Sequence, residues 1–500
     1  MAFLMGIDLG TSSLKTIIID EKGNNMALAS RSYQYDAPIS GYAEQNVDVW
    51  WQAAIETIKE VLAKSGIKGD EIKGVGFSGQ MHGAVLLDEK NEVIRPVILH
   101  CDVRTGRQVE NVKKLLGNRV RELMMNPVYT GFLLVSLLWV RDNEPENYKR
   151  IRKVCLPKDY IKYKLSGEIT SDYSDASATL AFDIKNNKWS KEILDLVDVS
   201  YDIFPECYDT YSVVGHISKE SAKLTGLSTK AAVVAGGGDQ VMQGIGNGVT
   251  EIGQVTANIG SSGQICFQSD LPFVNPNLST NTFCGYKKGR WIVQGAIMHA
   301  GLSLEWFNSL FETKDYQMSN KLAEEAVAGS DGLIFLPYLN GERTPHANPN
   351  LSAMLIGLNS KTRRSQMTRA VMEGVSFALY ECMEVCENLG LSIGTVVASG
   401  GGARSPLWLQ IQSDVYGLPL KVADNKEQAC LGAAITAGVG AGIYKSTEDG
   451  CANVVRYKKE MIEPNVENHK KYMEYYALFK DAYLANEELL QKLTVMGRNL

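Results

Sequence analysis

Two stretches decide the fold: Met5–Asp20, MGIDLGTSSLKTIIID, and Gln254–Gln268, QVTANIGSSGQICFQ. Each runs from an apolar strand into a turn of small residues and straight out into a second strand. No helical pattern follows the turn, so the unit predicts a β-hairpin rather than a strand–turn–helix. Asp8-Leu9-Gly10-Thr11-Ser12 aligns in kind with Asn258-Ile259-Gly260-Ser261-Ser262. This self-similarity predicts two related halves, each opening on a turn wide enough for a phosphate. A chain of 500 residues is also too long for one hydrophobic core. The expected architecture is therefore α/β with two domains, residues 1–247 and 248–500.

Working outward, Asp48 is placed to cap a helix with Trp51, Ala54, Ile55, Ile58, Val61 and Leu62 on one face. Val75, Phe77 and Ala84–Leu87 read as strands around a Gly-rich turn. Ala231–Ala235 reads as a buried strand entering GGGDQ. Gln366–Leu389 reads as an amphipathic helix, and Val396–Ser399 as a strand entering Gly400-Gly401-Gly402. The tail, Glu467–Leu493, predicts a charged helix that docks on the protein's own surface through Tyr476, Phe479, Tyr483 and Leu490.

The net charge of −6 argues against nucleic acid or an anionic membrane as partner. No long apolar run or basic leader stands in the sequence, and nine scattered cysteines form no CxxC pair. A cytoplasmic protein with reduced thiols is expected. A negative chain that binds a polyphosphate must do so with local devices: backbone amides at turns, a lysine or a bound cation. The first turn supplies Gly10, Thr11 and Ser12, with Lys15 to offset phosphate charge and Asp8 to hold Mg²⁺ through oxygen. The second turn supplies Gly260, Ser261 and Ser262.

Gly236-Gly237-Gly238 leaves Asp239 with little steric cover, so its carboxylate can face a cleft and reach a substrate hydroxyl as a base. Gly79-Gln80-Met81-His82-Gly83 offers an amide, a thioether and an imidazole to a sugar. Gly400, Gly401, Gly402 and Ser405 form a strand-to-helix turn where backbone can meet a ribose or a flat ring. The polar loop Gly341–His346 reads as an internally paired Glu342–Arg343 turn. Neither GxGxxG nor GxxxxGK[ST] occurs, which excludes the Rossmann dinucleotide and P-loop classes. A filament-forming actin relative would share the two turns but would need neither GGGDQ nor SGQMHG.

With these residues in place the chain resembles the FGGY family of carbohydrate kinases, and within it the xylulokinases. DLGTSSLK, SGQMHG, Leu137–Trp139, LPKDY, GGGDQ, NIGSSG, LPYLNGERTPH, Glu373-Gly374 and SGGGARS all fall in the family's order. The resemblance implies two actin-like, ribonuclease H-type domains about a cleft, and ATP and Mg²⁺ as cofactors. It implies that Asp8 serves metal and phosphates, that Met81 and His82 touch the sugar, and that Asp239 is the catalytic base. Gly260–Gly263 and Gly400–Gly402 would line the ATP side. His100-Cys101-Asp102-Val103-Arg104 departs from the family's Trp-Asn-Asp-x-Arg, Ser136 from a usual Lys, and Gln240 from a usual Asn. His100, Asp102 and Gln240 are therefore expected at the sugar. D-xylulose is the expected substrate, with another ketopentose, a polyol or a sugar acid as rivals and a homodimer as the assembly to test.

Overall fold

A computed structural model describes residues 2–498. Its frame is two mixed sheets built on one plan. In the first, strands run in the order Val213–His216, Ala232–Val234, Ile72–Gly79, Phe3–Leu9, Ser13–Asp20 and Asn25–Ser32, and Gly237–Gly238 also pairs with Ile72–Gly79. In the second the order is Asn281–Cys284, Trp291–Ile297, Gly263–Ser269, Gln254–Ile259, Thr395–Gly400 and Leu420–Val422. Phe3–Leu9 lies between its antiparallel hairpin partner and a parallel neighbour, and Gln254–Ile259 does the same.

The correspondence extends to single residues. Asp8 pairs with Lys15 on one side and Ser78 on the other; Asn258 pairs with Gln264 and Ser399. Ser78 Oγ donates to Asp8 Oδ1 at 2.7 Å, and Ser399 Oγ donates to Asn258 Oδ1 at 3.2 Å. The first turn closes with Gly10 N–H on Ser13 O, the second with Gly260 N–H on Ser262 O, one residue shorter. The halves share a backbone and differ in charge: Asp–Lys in one, Asn–Gln in the other.

The first helix spans Val47–Ser65, and its cap is Asn46, whose side chain accepts from Asp48 N–H. Asp48 therefore sits in the first turn, where its charge suits the helix dipole, rather than at the cap itself. The buried stripe is Val47, Trp50, Ala53, Ala54, Thr57, Ile58 and Val61, so Trp50 takes the core position expected of Trp51. The long helix Arg364–Glu387 backs the second sheet, and Tyr472, Tyr476, Phe479, Tyr483 and Leu490 of the terminal helix Val466–Arg498 join the same core.

The two sheets separate between Gly238 and Gln254. The chain then returns late: helix Gln428–Gly440 packs on the first sheet and shares a core with Leu4, Ile17, Ile19 and Met242. Gly6 and Gly76 make room for it. A Cβ on Gly6 would stand 2.0 Å from Cys430 O, and one on Gly76 would stand 1.9 Å from Ala433 O. Among the described residues no helix is long and apolar enough to cross a membrane.

Candidate active site

Asp8, Ser78 and Gly237 form one rank across three adjacent strands, because Ser78 pairs with both of the others. Two strand spacings put the first and last of them about 10 Å apart. Gly237–Gly238 then ends, and Asp239 opens the helix Asp239–Gly246. The loop is fixed from below, since Ser174 Oγ accepts Gly238 N–H at 3.0 Å. Two carboxylates thus stand at the same end of one sheet.

Their protonation follows from that placement. Burial raises Asp8 above the ordinary carboxylate range, against the hydrogen bond from Ser78 and the charge of Lys15. Burial raises Asp239 to about 7, the charge of Asp8 adds to the rise, and hydrogen bonds from Gln240 oppose it. Asp8 has the chemistry for a magnesium site: one of its oxygens accepts from Ser78, and among the described residues it forms no ion pair, since its neighbour Lys15 pairs with Glu427. A lone carboxylate completed by phosphate oxygens and water is a donor set Mg²⁺ takes readily.

Lys15, expected to meet phosphate, is instead committed to Glu427 at 2.6 Å, just before the returning helix. It clamps Gln428–Gly440 to the first hairpin. Thr11 Oγ1 donates to Gln80 Oε1 at 3.2 Å, while Gly10 and Ser12 stay accessible at the turn.

Met81 packs against Gly238, its thioether 2.9 Å from where a Cβ would stand, so it lies beside Asp239. His82 holds φ of +77°, a left-handed conformation that a non-glycine residue keeps only under constraint. Its Nδ1 lies 2.7 Å from Ala178 O, and its ring rests on Phe132 at 4.0 Å. Burial lowers His82 to about 3, so the imidazole is neutral, Nδ1–H donates to Ala178, and Nε2 is left as an acceptor. His100 is likewise held low, by burial and by the charge of Arg343.

Asp102 is placed differently from expectation. It is fully covered, with its oxygens taken by Ala43 N–H and the Arg104 guanidinium, which leaves none for a sugar. These bonds hold the turn that follows His100. Gln240 Oε1 faces Gln294 Nε2 of the second sheet at 3.5 Å, so it spans the two lobes. Ser136 is buried within helix Leu133–Asn143.

On the far side, Gly260–Ser262 is braced by the helix Gly301–Ser309, whose first amides reach Gly260 O and Ser261 O. Gly400 has φ of +80°, and a Cβ there would stand 2.4 Å from Asn258 Oδ1. Ser405, expected on the nucleotide, caps helix Pro406–Tyr416 by accepting Trp408 N–H and donates to Asn320 Oδ1 at 2.8 Å.

The residue that sequence reasoning missed is Arg343. Glu342 does not pair with its guanidinium; Glu342 Oε1 accepts Met298 N–H and the Arg343 backbone N–H. The guanidinium instead lies over Tyr129 of the first lobe, 6.0 Å from the ring centre. Gly263 pairs with Ile297, next to Met298. The Gly260–Ser262 turn therefore lies at the same end of the second sheet as Met298 and the Glu342–Arg343 loop.

Similarity to known proteins gives the family of the chain. Residues 3–246 match the N-terminal domain of the FGGY family of carbohydrate kinases and residues 255–441 match its C-terminal domain. The chain is 35% identical to a xylulose kinase of Bacillus subtilis over 500 residues, 100% of both chains. It is 35% identical to that of Escherichia coli over 446 residues, 88% of this chain and 91% of the other. A crystal structure of a xyloylose kinase from Brucella ovis superposes with a TM-score of 0.91 at 31% identity, covering 97% of this chain and 100% of that one. With both domain signatures in order and full-length relatives above 30% identity, this chain belongs to the FGGY family of carbohydrate kinases.

Proposed function

We propose that this carbohydrate kinase transfers the γ-phosphate of ATP to the terminal hydroxyl of an open-chain ketopentose, D-xylulose to D-xylulose 5-phosphate, with Asp239 as general base. The observation that carries the reading is the pair of carboxylates, Asp8 and Asp239, that feel one another at the end of one sheet. The relatives named xylulose kinase support the choice of sugar.

Phosphoryl transfer needs alignment and charge neutralisation more than covalent help. Asp8 would hold Mg²⁺, which when bound would supply neutralisation of the phosphate charge. Amides and hydroxyls of Gly10–Ser12 and Gly260–Ser262 would hold the phosphates from opposite lobes, with Gly400–Gly402 beside the nucleoside. Met81 would pack on the sugar's carbon chain, and His82 Nε2 would accept from a hydroxyl. Asp239 would take the proton of the attacking hydroxyl; a carboxylate poised near neutrality suits that task. Closure of the lobes would keep water from the phosphate. A cytoplasmic location and a homodimer belong to the same proposal, the latter checked by sedimentation velocity.

A coupled assay of ADP release across ketoses, polyols and aldonates tests the reading. D-Xylulose should give the highest kcat/KM. A polyol or aldonate in first place would contradict the sugar assignment, and no sugar-dependent ADP at all would contradict the whole.

A further inference from the structure

Arg343 stands on a loop fixed on both sides. Glu342 is held by two backbone amides. Thr344 N–H donates to Ala296 O at 2.9 Å, Ala296 N–H donates to Thr344 Oγ1 at 3.0 Å, and Thr344 Oγ1 donates to Ser279 O at 2.6 Å. Both neighbours are buried, each 2% exposed, while Arg343 is exposed between them. Its guanidinium makes no ion pair or hydrogen bond among the described residues. It rests over Tyr129, which is two residues from Gly131, and Gly131 packs against the backbone of His100. A rigidly mounted, unpaired guanidinium at a cleft is built to meet a ligand oxygen.

The geometry points to Arg343 as the second lobe's contact with the sugar, donating to the ketose carbonyl at the end remote from the hydroxyl beside Asp239. This rests on the function proposed above. From Tyr129 the ring of Phe132 lies 6.4 Å away, and His82 lies 4.0 Å beyond it, so a run of rings joins Arg343 to His82; the charge of Arg343 is felt at His82, His100 and Tyr129. Asp239 answers to Asp8 instead. His82 follows Met81, which packs on Gly238 beside Asp239, so this run has a carboxylate at one end and a guanidinium at the other, with His82 between. An open-chain ketose matches that polarity, with a proton to give at one end and its most electron-rich oxygen near the other.

Arg343→Gln and Arg343→Lys test the assignment, with D-xylulose as substrate and xylitol and D-xylonate read as competitive inhibition constants against it. For Arg343→Gln the KM for D-xylulose should rise about tenfold, the size of one lost charge-assisted hydrogen bond. The constant for D-xylonate should rise further, those for xylitol and ATP should stay within about twofold, and Arg343→Lys should recover part of the loss. An unchanged thermal midpoint excludes a folding defect. Equal weakening of all three sugars, an unchanged KM for D-xylulose, or a parallel rise for ATP would overturn the inference alone. Absence of sugar-dependent ADP from the wild-type protein would overturn the proposed function and this inference with it.

Discussion

Asp239 and His82 flank the contact of Met81 with Gly238 and are pushed by burial in opposite directions, the acid up to about 7 and the imidazole down to about 3. Both shifts favour the neutral form, but only the acid's lies in the working range. Below its pKa the Asp239 carboxyl already carries a proton and cannot accept another; above it the carboxylate can. The kcat/KM for sugar should therefore rise with pH and level off above about 7, and cations drawn to Asp8 should move that limb lower. A profile flat from pH 5 to 8 would contradict the assignment. His82 stays neutral throughout and contributes no limb. His82→Ala should raise the sugar KM about tenfold and leave the ATP KM within about twofold, the loss of one buried hydrogen-bond acceptor; equal effects on both would remove His82 from the sugar. Asp8, Asp239 and His82 were legible because each stands within two residues of a glycine turn, at Gly10, Gly238 and Gly83, that opens the backbone around a functional side chain. Arg343 was not, because adjacent Glu and Arg suggest a local pair, and nothing local reveals that the Met298 backbone amide, brought in by the fold, joins that of Arg343 in claiming Glu342 Oε1.

Among the elements, LPKDY shows how a motif can be visible and its role hidden. Lys158 and Asp159 open helix Pro157–Ser166 and are wholly buried. Lys158 Nζ lies 2.6 Å from Asp159, 2.7 Å from Asp172 and 3.4 Å from Asp175, and Lys162 adds a bond to Asp159 at 2.8 Å. Asp172 also accepts from Ser174, which holds Gly238, so the network is the floor under the Asp239 loop. Removing a lysine strands several buried carboxylates at once. Lys158→Met should cost on the order of 3–5 kcal/mol in urea unfolding, far more than a surface pair; a loss below about 1 kcal/mol would show that the network relaxes freely. Hairpins and the helix around Gln366–Leu389 were legible from period and turn chemistry. The return of Gln428–Gly440 to the first sheet was not, since a helix buried on nearly every side carries no stripe to say which partner it meets.

At the scale of the molecule, two sheets share one plan and differ where chemistry is done. The first hairpin presents a carboxylate at Asp8 where the second presents the amide of Asn258, each bound by a serine from the parallel neighbour. One acid on one side can serve a cation; a second acid opposite would repel the triphosphate. Asn258→Asp should therefore raise the ATP KM by about tenfold or more and leave sugar affinity within about twofold. The most direct test of the whole account replaces the base and nothing else. Steady-state ADP formation from D-xylulose should fall on the order of 10²-fold or more in Asp239→Asn, while titration shows ATP binding at wild-type affinity. Turnover near that of the wild-type protein would contradict it.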